Sequence, residues 1–195
     1  AVLVEADVPG LKSLIELTTA PVQLLDVVPR FSEYLEAYGA GVSFSDVLEQ
    51  ASDDIKEVFS RYVLPEGEYS LPEDAFVAAR DVHLPALRET MRAYFHDNDI
   101  VAMVFPATML PAPPIGEDTT VDIGSEPVPL EVAVARNISP GSTAGIPGLV
   151  LPAGLSPAGL PVSIELDGPE QSDQSLLALG WSVEAVLGKL PPPGA

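Results

Sequence analysis

The sequence predicts an α/β fold, a mixed β-sheet covered by helices on both faces. Three observations point there. Ile100–Phe105 is a run of six apolar residues closed by Pro106, the pattern of a strand buried on both faces. Leu149–Leu151 and Leu160–Leu166 are further short, largely apolar runs bounded by glycine and proline, again strand-like. Between Leu11 and His96, and again after Gln174, apolar residues recur at three- to four-residue spacing, which marks helices.

In chain order, Val2–Glu5 reads as a short buried strand stopped by Asp7 and Pro9-Gly10. Leu11, Leu14, Ile15 and Leu17 mark a helix to Thr19, with Pro21 as its interruption. A second helix follows from Pro21 to about Tyr38, through Val22, Leu25, Val28, Phe31 and Leu35, kinked near Pro29 because proline lacks the donor for the helical ladder. Gly39 and Gly41 break the pattern. Ser45 is a suitable N-cap for a helix through Gln50, and Ser52 to about Tyr62 forms another with Ile55, Val58, Phe59 and Tyr62 on one face.

The longest helical pattern runs from Glu73 to His96, with Glu73 and Asp74 at its positive end. Pro85 inside it implies a kink or two helices. After the Ile100–Phe105 strand, Pro106–Pro129 is proline-rich and poorly periodic, and reads as a long loop. Glu131–Arg136 leads into the polar, small-residue stretch Arg136–Gly148, which introduces the two later strands. Ser172-Asp173 caps a last helix, Gln174 to Leu187, ended by Gly188 and the prolines 191–193. The helical block 21–99 thus reads as an insert, and 100–195 as the sheet strands and closing helix of one domain, 1–195. About four strands are few for a sheet covered on both faces, and the chain opens directly on an apolar run without Met. Both lead to the expectation of a segment of something larger.

The composition narrows the function. With 29 acidic against 9 basic residues the formal charge is −20, which disfavours nucleic acid and anionic membranes as partners. The absence of cysteine excludes disulfides, thiolate catalysis and thiolate metal ligands within the chain. No apolar run reaches the roughly 18 residues of a membrane span. The first residues lack the basic region of a signal peptide, so a cytoplasmic location is expected.

Few residues offer chemistry. His83 and His96 are the only histidines; their spacing does not suit metal ligation, and His96-Asp97-Asn98-Asp99 reads as a polar helix end. Asp46, Asp53, Asp54, Glu73, Asp74, Glu117, Asp118 and Asp122 are scattered, with no acid/base pair among them. Gly141-Ser142-Thr143-Ala144-Gly145 invites a nucleophile reading, since small residues let backbone N–H groups approach a substrate oxygen. A serine nucleophile requires a base, however, and Lys12, Lys56 and Lys189 lie in no motif that presents one. The hydrolase elbow places serine in the middle of the glycine motif before a helix; here Thr143 is in the middle and a strand follows. No glycine loop fitted to phosphate is present. No self-contained active site and no metal site are read from the residues, and no cofactor is expected.

Three stretches taken together resemble the amidase signature family. Val101–Gly116 is similar to its strand and Pro-Ala-Pro loop. Arg136–Gly154, with Ala144-Gly145-Ile146-Pro147 and Leu151-Pro152-Ala153-Gly154, continued by Gly159-Leu160-Pro161-Val162, is similar to its later motif. The closing helix after Ser172-Asp173, with Leu176-Leu177 and Glu184, is the third. The pattern around Arg136-Asn137 and Pro140-Gly141-Ser142 is most similar to the mandelamide and indoleacetamide hydrolase branch.

The resemblance covers the C-terminal half of that fold. It implies hydrolysis of a small-molecule carboxamide through a serine acyl-enzyme, with the Ser–cis-Ser–Lys triad outside this chain and no catalytic residue within it. Its N-terminal half, from the same gene product or a second chain, is the implied partner. A homodimer is compatible with the same reading. Thr108, Asn137, Ser139, Ser142 and Thr143 are the implied substrate-lining residues. The competing reading is a non-catalytic scaffold or assembly subunit related to amidases.

Overall fold

The computed structural model describes residues 2–39, 41–116 and 120–191. It divides into two compact units, Lys12–Leu87 and the combination of Ala1–Leu11 with Arg88–Ala195.

The first of these units is helical. Helix α1, Leu11–Tyr38, is a single element with Pro21 and Pro29 inside it, so Pro21 does not separate two helices as expected, and the helix expected around Pro29 continues past it. Each proline removes one intrahelical donor, a local loss that leaves the flanking turns able to continue. Thr18 beside Pro21 is fully buried, and its Oγ1 donates to the Leu14 carbonyl 2.6 Å away. Helix α2, Phe44–Gln50, is capped by Ser43 rather than Ser45. Its Oγ accepts from the Asp46 N–H while the Asp46 carboxylate accepts from the Ser43 N–H, a reciprocal capping box. Helix α3, Asp53–Val58, passes into a π-helical turn at Phe59–Val63. Phe31, Phe44 and Phe59 pack in series, with ring centroids 6.0 and 5.7 Å apart.

Helix α4, Glu73–Ala78, is followed by a π-helical turn at Ala79–His83 and then by α5, Leu84–Asp97. Pro85 explains the turn. It cannot donate to the Asp81 carbonyl, and a wider turn just ahead of it relieves the clash its ring would make.

The other unit holds the sheet. Strands β1 (Met103–Pro106), β4 (Gly148–Leu155) and β5 (Pro161–Asp167) form it in the order β1-β5-β4, with both pairings antiparallel. Register places Leu149 opposite Leu166 and Leu151 opposite Ile164. Helix α8, Asp173–Leu187, lies on that face, where Leu151, Leu166 and Leu176 form the buried centre with Leu149, Ile164, Leu179 and Val183 around it. Gly180 permits the approach, since a Cβ there would fall on Leu149 Cδ2. Leu177 and Trp181 on α8 are exposed.

Other expectations are corrected. Val2–Glu5 pairs with nothing among the described residues, and Val2 and Leu3 are 90% and 86% exposed, so the predicted buried strand is an extended, solvated segment. β1 begins only at Met103. Val101 is exposed, and the strand alternates half-buried with exposed, so only one of its faces is covered; its ladder is made to β5. The expected long loop contains a hairpin, β2 (Thr120–Ile123) with β3 (Glu126–Pro129), turned at Gly124-Ser125 with Gly124 at φ 67°. Ser172 precedes α8, yet its Oγ makes no cap bond and is buried without a partner.

Candidate functional site

Two short helices follow β3: α6, Leu130–Ala135, and α7, Ser139–Ala144. The small-residue stretch expected as a loop is therefore partly helical. Pro140 suits the first turn of α7, where a missing N–H is no loss. Gly145 closes the helix at φ 77°, and both its N–H and that of Ile146 donate to the Gly141 carbonyl, at 2.9 and 3.2 Å. From α5, Arg88 Nε donates to the Ala144 carbonyl at 3.0 Å. A guanidinium at a helix C-terminus complements the dipole as well as the free carbonyl.

The residues expected to line a substrate pocket fall in two places. Asn137 Nδ2 donates to the Pro106 carbonyl at 2.8 Å, joining the α6–α7 connection to the end of β1. Thr108, two residues beyond Pro106, is exposed, and its Oγ1 donates to the Leu110 carbonyl at 2.7 Å. Asn137 and the Thr108 loop are thus brought into one neighbourhood.

Ser139, Ser142 and Thr143 ride on α7. Ser139 Oγ donates back to the Ala135 carbonyl at 2.8 Å, a local bond that shapes the turn. Ser142 is exposed and Thr143 is partly buried. None of the five lines the cavity of about 220 Å³ beside the far end of α7, whose apolar floor is Met91, Phe95 and Ile146 and whose charged rim includes Arg88, Arg92 and Glu170. Among the described residues, no three His, Asp or Glu side chains are grouped as metal ligands. Glu117 and Asp118 lie outside the described residues.

Beneath α7 lies a feature the sequence reading missed. β5 carries Glu165 and Asp167 two positions apart, hence on one face, opposite to the leucine face. Their ladder partners there are Val150 and Gly148 on β4. Both side chains are buried, Glu165 to 8% exposure and Asp167 to 2%. Glu165 Oε1 and Asp167 Oδ1 each lie 2.9 Å from where a Cβ on Gly148 would stand, and a Cβ on Gly141 of α7 would fall on Asp167 Oδ2.

Burial pushes the Asp167 carboxyl up to about 7, with the Glu165 charge and a hydrogen bond to Glu165 adding to the effect. Burial also raises Glu165, and the bond from Asp167 partly offsets this. The pair therefore holds one proton, carried by Asp167, on the acid side of neutrality and releases it around pH 7. The available signal was the alternation of two acids in an otherwise apolar run, which places both on one face by period two.

The Amidase family profile matches residues 1–177. An indoleacetamide hydrolase of Rhizobium radiobacter is 35% identical over 190 residues, covering 95% of this chain and 39% of that protein. A mandelamide hydrolase of Pseudomonas putida is 32% identical over 187 residues, covering 89% of this chain and 34% of its own length. A solved amidase structure superposes with a TM-score of 0.69 at 26% identity, over 92% of this chain and 36% of that one. The chain thus spans well under half the length of the relatives it matches. With the profile matching nearly its whole length and the sheet, α7 and α8 arranged as described, the chain belongs to the amidase family.

Proposed function

We propose that this chain is part of an amide hydrolase that converts an arylalkyl carboxamide to the carboxylic acid and ammonia. The observation that carries the reading is the match along 95% of the chain to a protein named for hydrolysing indoleacetamide, together with 39% coverage of that protein. The sequence offers no nucleophile with a base beside it, so the proposal assigns the serine nucleophile and its activating groups to polypeptide outside these 195 residues. A cytoplasmic setting belongs to the same reading.

The chain's role is then to build one wall of the acyl pocket. Asn137, tied to the end of β1, and Thr108 beside it define one patch. Ser139, Ser142 and Thr143 on α7 define another. Hydroxyl and amide groups of this kind suit a neutral carboxamide, which needs donors and acceptors rather than a counter-charge.

The test is an assay of the 195-residue chain with indole-3-acetamide and mandelamide, with and without a co-expressed polypeptide covering the remaining part of the matched relatives. Ammonia release is expected only from the pair. Turnover by the chain without its complement would overturn the reading, as would a stable complex of the two that hydrolyses no amide. The latter result would favour the scaffold alternative.

A further inference from the structure

We propose that Glu165 and Asp167 are a positioning pair: they hold one proton between them, and the one-proton state seats α7, with Ser139, Ser142 and Thr143, on the sheet. The inference rests on the chain's own geometry and stands whether or not α7 lines a substrate pocket.

Four observations support it. First, both carboxyls are more than nine-tenths buried, and Glu165 Oε2 has no hydrogen-bond partner. A buried carboxylate without compensation is strongly disfavoured, and two side by side more so. Second, no cation answers them: among the described residues neither carboxyl forms an ion pair. The elements packed on the pair, α7 (Ser139–Ala144), β4 (Gly148–Leu155) and β1 (Met103–Pro106), contain no titratable side chain. The nearby guanidinium of Arg88 is engaged at the far end of α7, on the Ala144 carbonyl. The remaining charged neighbour in sequence, Glu170, is exposed.

Third, α7 rests directly against the pair. Gly141 is buried, and a Cβ there would fall on Asp167 Oδ2, so the helix approaches the carboxyl as closely as its backbone allows. Fourth, the walls differ in strength. β5 is laddered on both edges, to β1 and to β4, whereas α7 is six residues long.

The chemistry follows. With one proton present, the Asp167 O–H donates to the Glu165 carboxylate, and the site holds a single charge in a short charge-assisted bond. When that proton leaves to water, two carboxylates remain side by side beneath α7. The strands cannot part without losing their ladders, so α7 lifts and water enters. Opening is therefore coupled to the loss of one proton.

Hydrogen exchange on the full 195-residue chain tests this at the amides of Ser142, Gly145 and Ile146, which donate to Ile138 and Gly141. Between about pH 4, where a solvated carboxyl ionises, and the pH near 7 at which the closed pair loses its proton, their opening should increase about tenfold per pH unit beyond the rise seen in an unstructured peptide, as loss of one proton on opening requires, and the extra rise should level off above that pH. Amides of β5 should show no such increase. In Asp167→Asn the extra rise near neutrality should be lost, and in Glu165→Gln it should be smaller and end at a lower pH, since burial still raises Asp167 there but the Glu165 charge no longer adds to it. Carbon-13 carboxyl spectra of the wild type should show one group titrating near neutrality that is absent in Asp167→Asn. The proposal is overturned if both carboxyls titrate below pH 5, or if α7 exchange follows the peptide pH dependence in the wild type. An extra rise that persists unchanged in Asp167→Asn would overturn it equally.

Discussion

Gly141 of α7 has no room for a side chain because Asp167 of β5 occupies it: a Cβ on the glycine would fall on the Oδ2 atom of the carboxyl. This contact ties the short helix to the sheet. It also sets two effects against each other in Gly141→Ala. Alanine is the better helix former by about 1 kcal/mol. Overpacking a closed, buried contact costs roughly 1–3 kcal/mol. Asp167 cannot retreat, because Gly148 abuts its other oxygen. The substitution should therefore lower the urea midpoint. Gly116→Ala is the control: a Cβ there meets nothing within 4 Å among the described residues, and it should change stability by no more than about 0.5 kcal/mol.

The pH dependence of stability has a definite sign. Burial, chiefly, pushes the Asp167 carboxyl in the folded chain from its ordinary 3.8 up to about 7. Between those values the folded state holds a proton that the unfolded state has released, so stability falls as pH rises through that window. The contribution is fully present below about pH 4 and lost above about 7. Asp167→Asn carries no charge at any pH and should remove this slope. Urea midpoints of wild type and variant at pH 5 and pH 8 should therefore diverge, with the variant gaining relative to wild type at the higher pH. Parallel midpoints at the two values would contradict the assignment.

The parts of the fold legible in the sequence are those in which local pattern and tertiary role agree. β4, β5 and α8 have boundaries drawn by glycine and proline and an apolar face that the core uses, with Leu149, Leu151, Leu166 and Leu176 meeting as the periodicity suggests. The apolar run Val2–Val4 misleads for the opposite reason: strand-like residues require a partner strand, and composition cannot supply one. The β2–β3 hairpin is hidden because Pro127 and Pro129 suggest a loop, although the Gly124-Ser125 turn lies between alternating residues. α7 is too short to show a period, and its Pro140 and Gly141 suggest a turn; contacts with Arg88 and Asp167 set its form. The Glu165–Asp167 pair is invisible to a search for clustered charge. Only the period of the strand reveals that both side chains turn to one face.

The leucine face should be the most sensitive to truncation. Leu166 is 3% exposed at the centre of β5 and belongs to the cluster with Leu151 and Leu176. Leu166→Ala removes buried methyls and leaves a cavity between two laddered strands and α8, which cannot all collapse into it. A loss of roughly 2–5 kcal/mol is expected in denaturant unfolding. Leu177→Ala, on the exposed side of α8, should cost far less; comparable losses at the two positions would mean that the helix is seated differently.

Arg88 should govern the other end of α7. Its Nε donates to the Ala144 carbonyl, one of the terminal carbonyls with no intrahelical partner of its own. Arg88→Ala leaves that carbonyl to water and removes a cation from the negative end of the helix, so the last turn should fray. Faster hydrogen exchange is expected at Gly145 and Ile146, whose N–H groups bond to Gly141. Arg88→Lys keeps the charge but presents it as a compact ammonium in place of a planar fork aimed along the side chain, so it should restore only part of the protection. Unlike the effect expected from Asp167, this one should be the same at pH 6 and pH 8, because the Arg88 contact is to a backbone carbonyl and involves no carboxyl. A pH-dependent effect in Arg88→Ala would mean that the two anchors of α7 act as one, and that loosening either end releases the other.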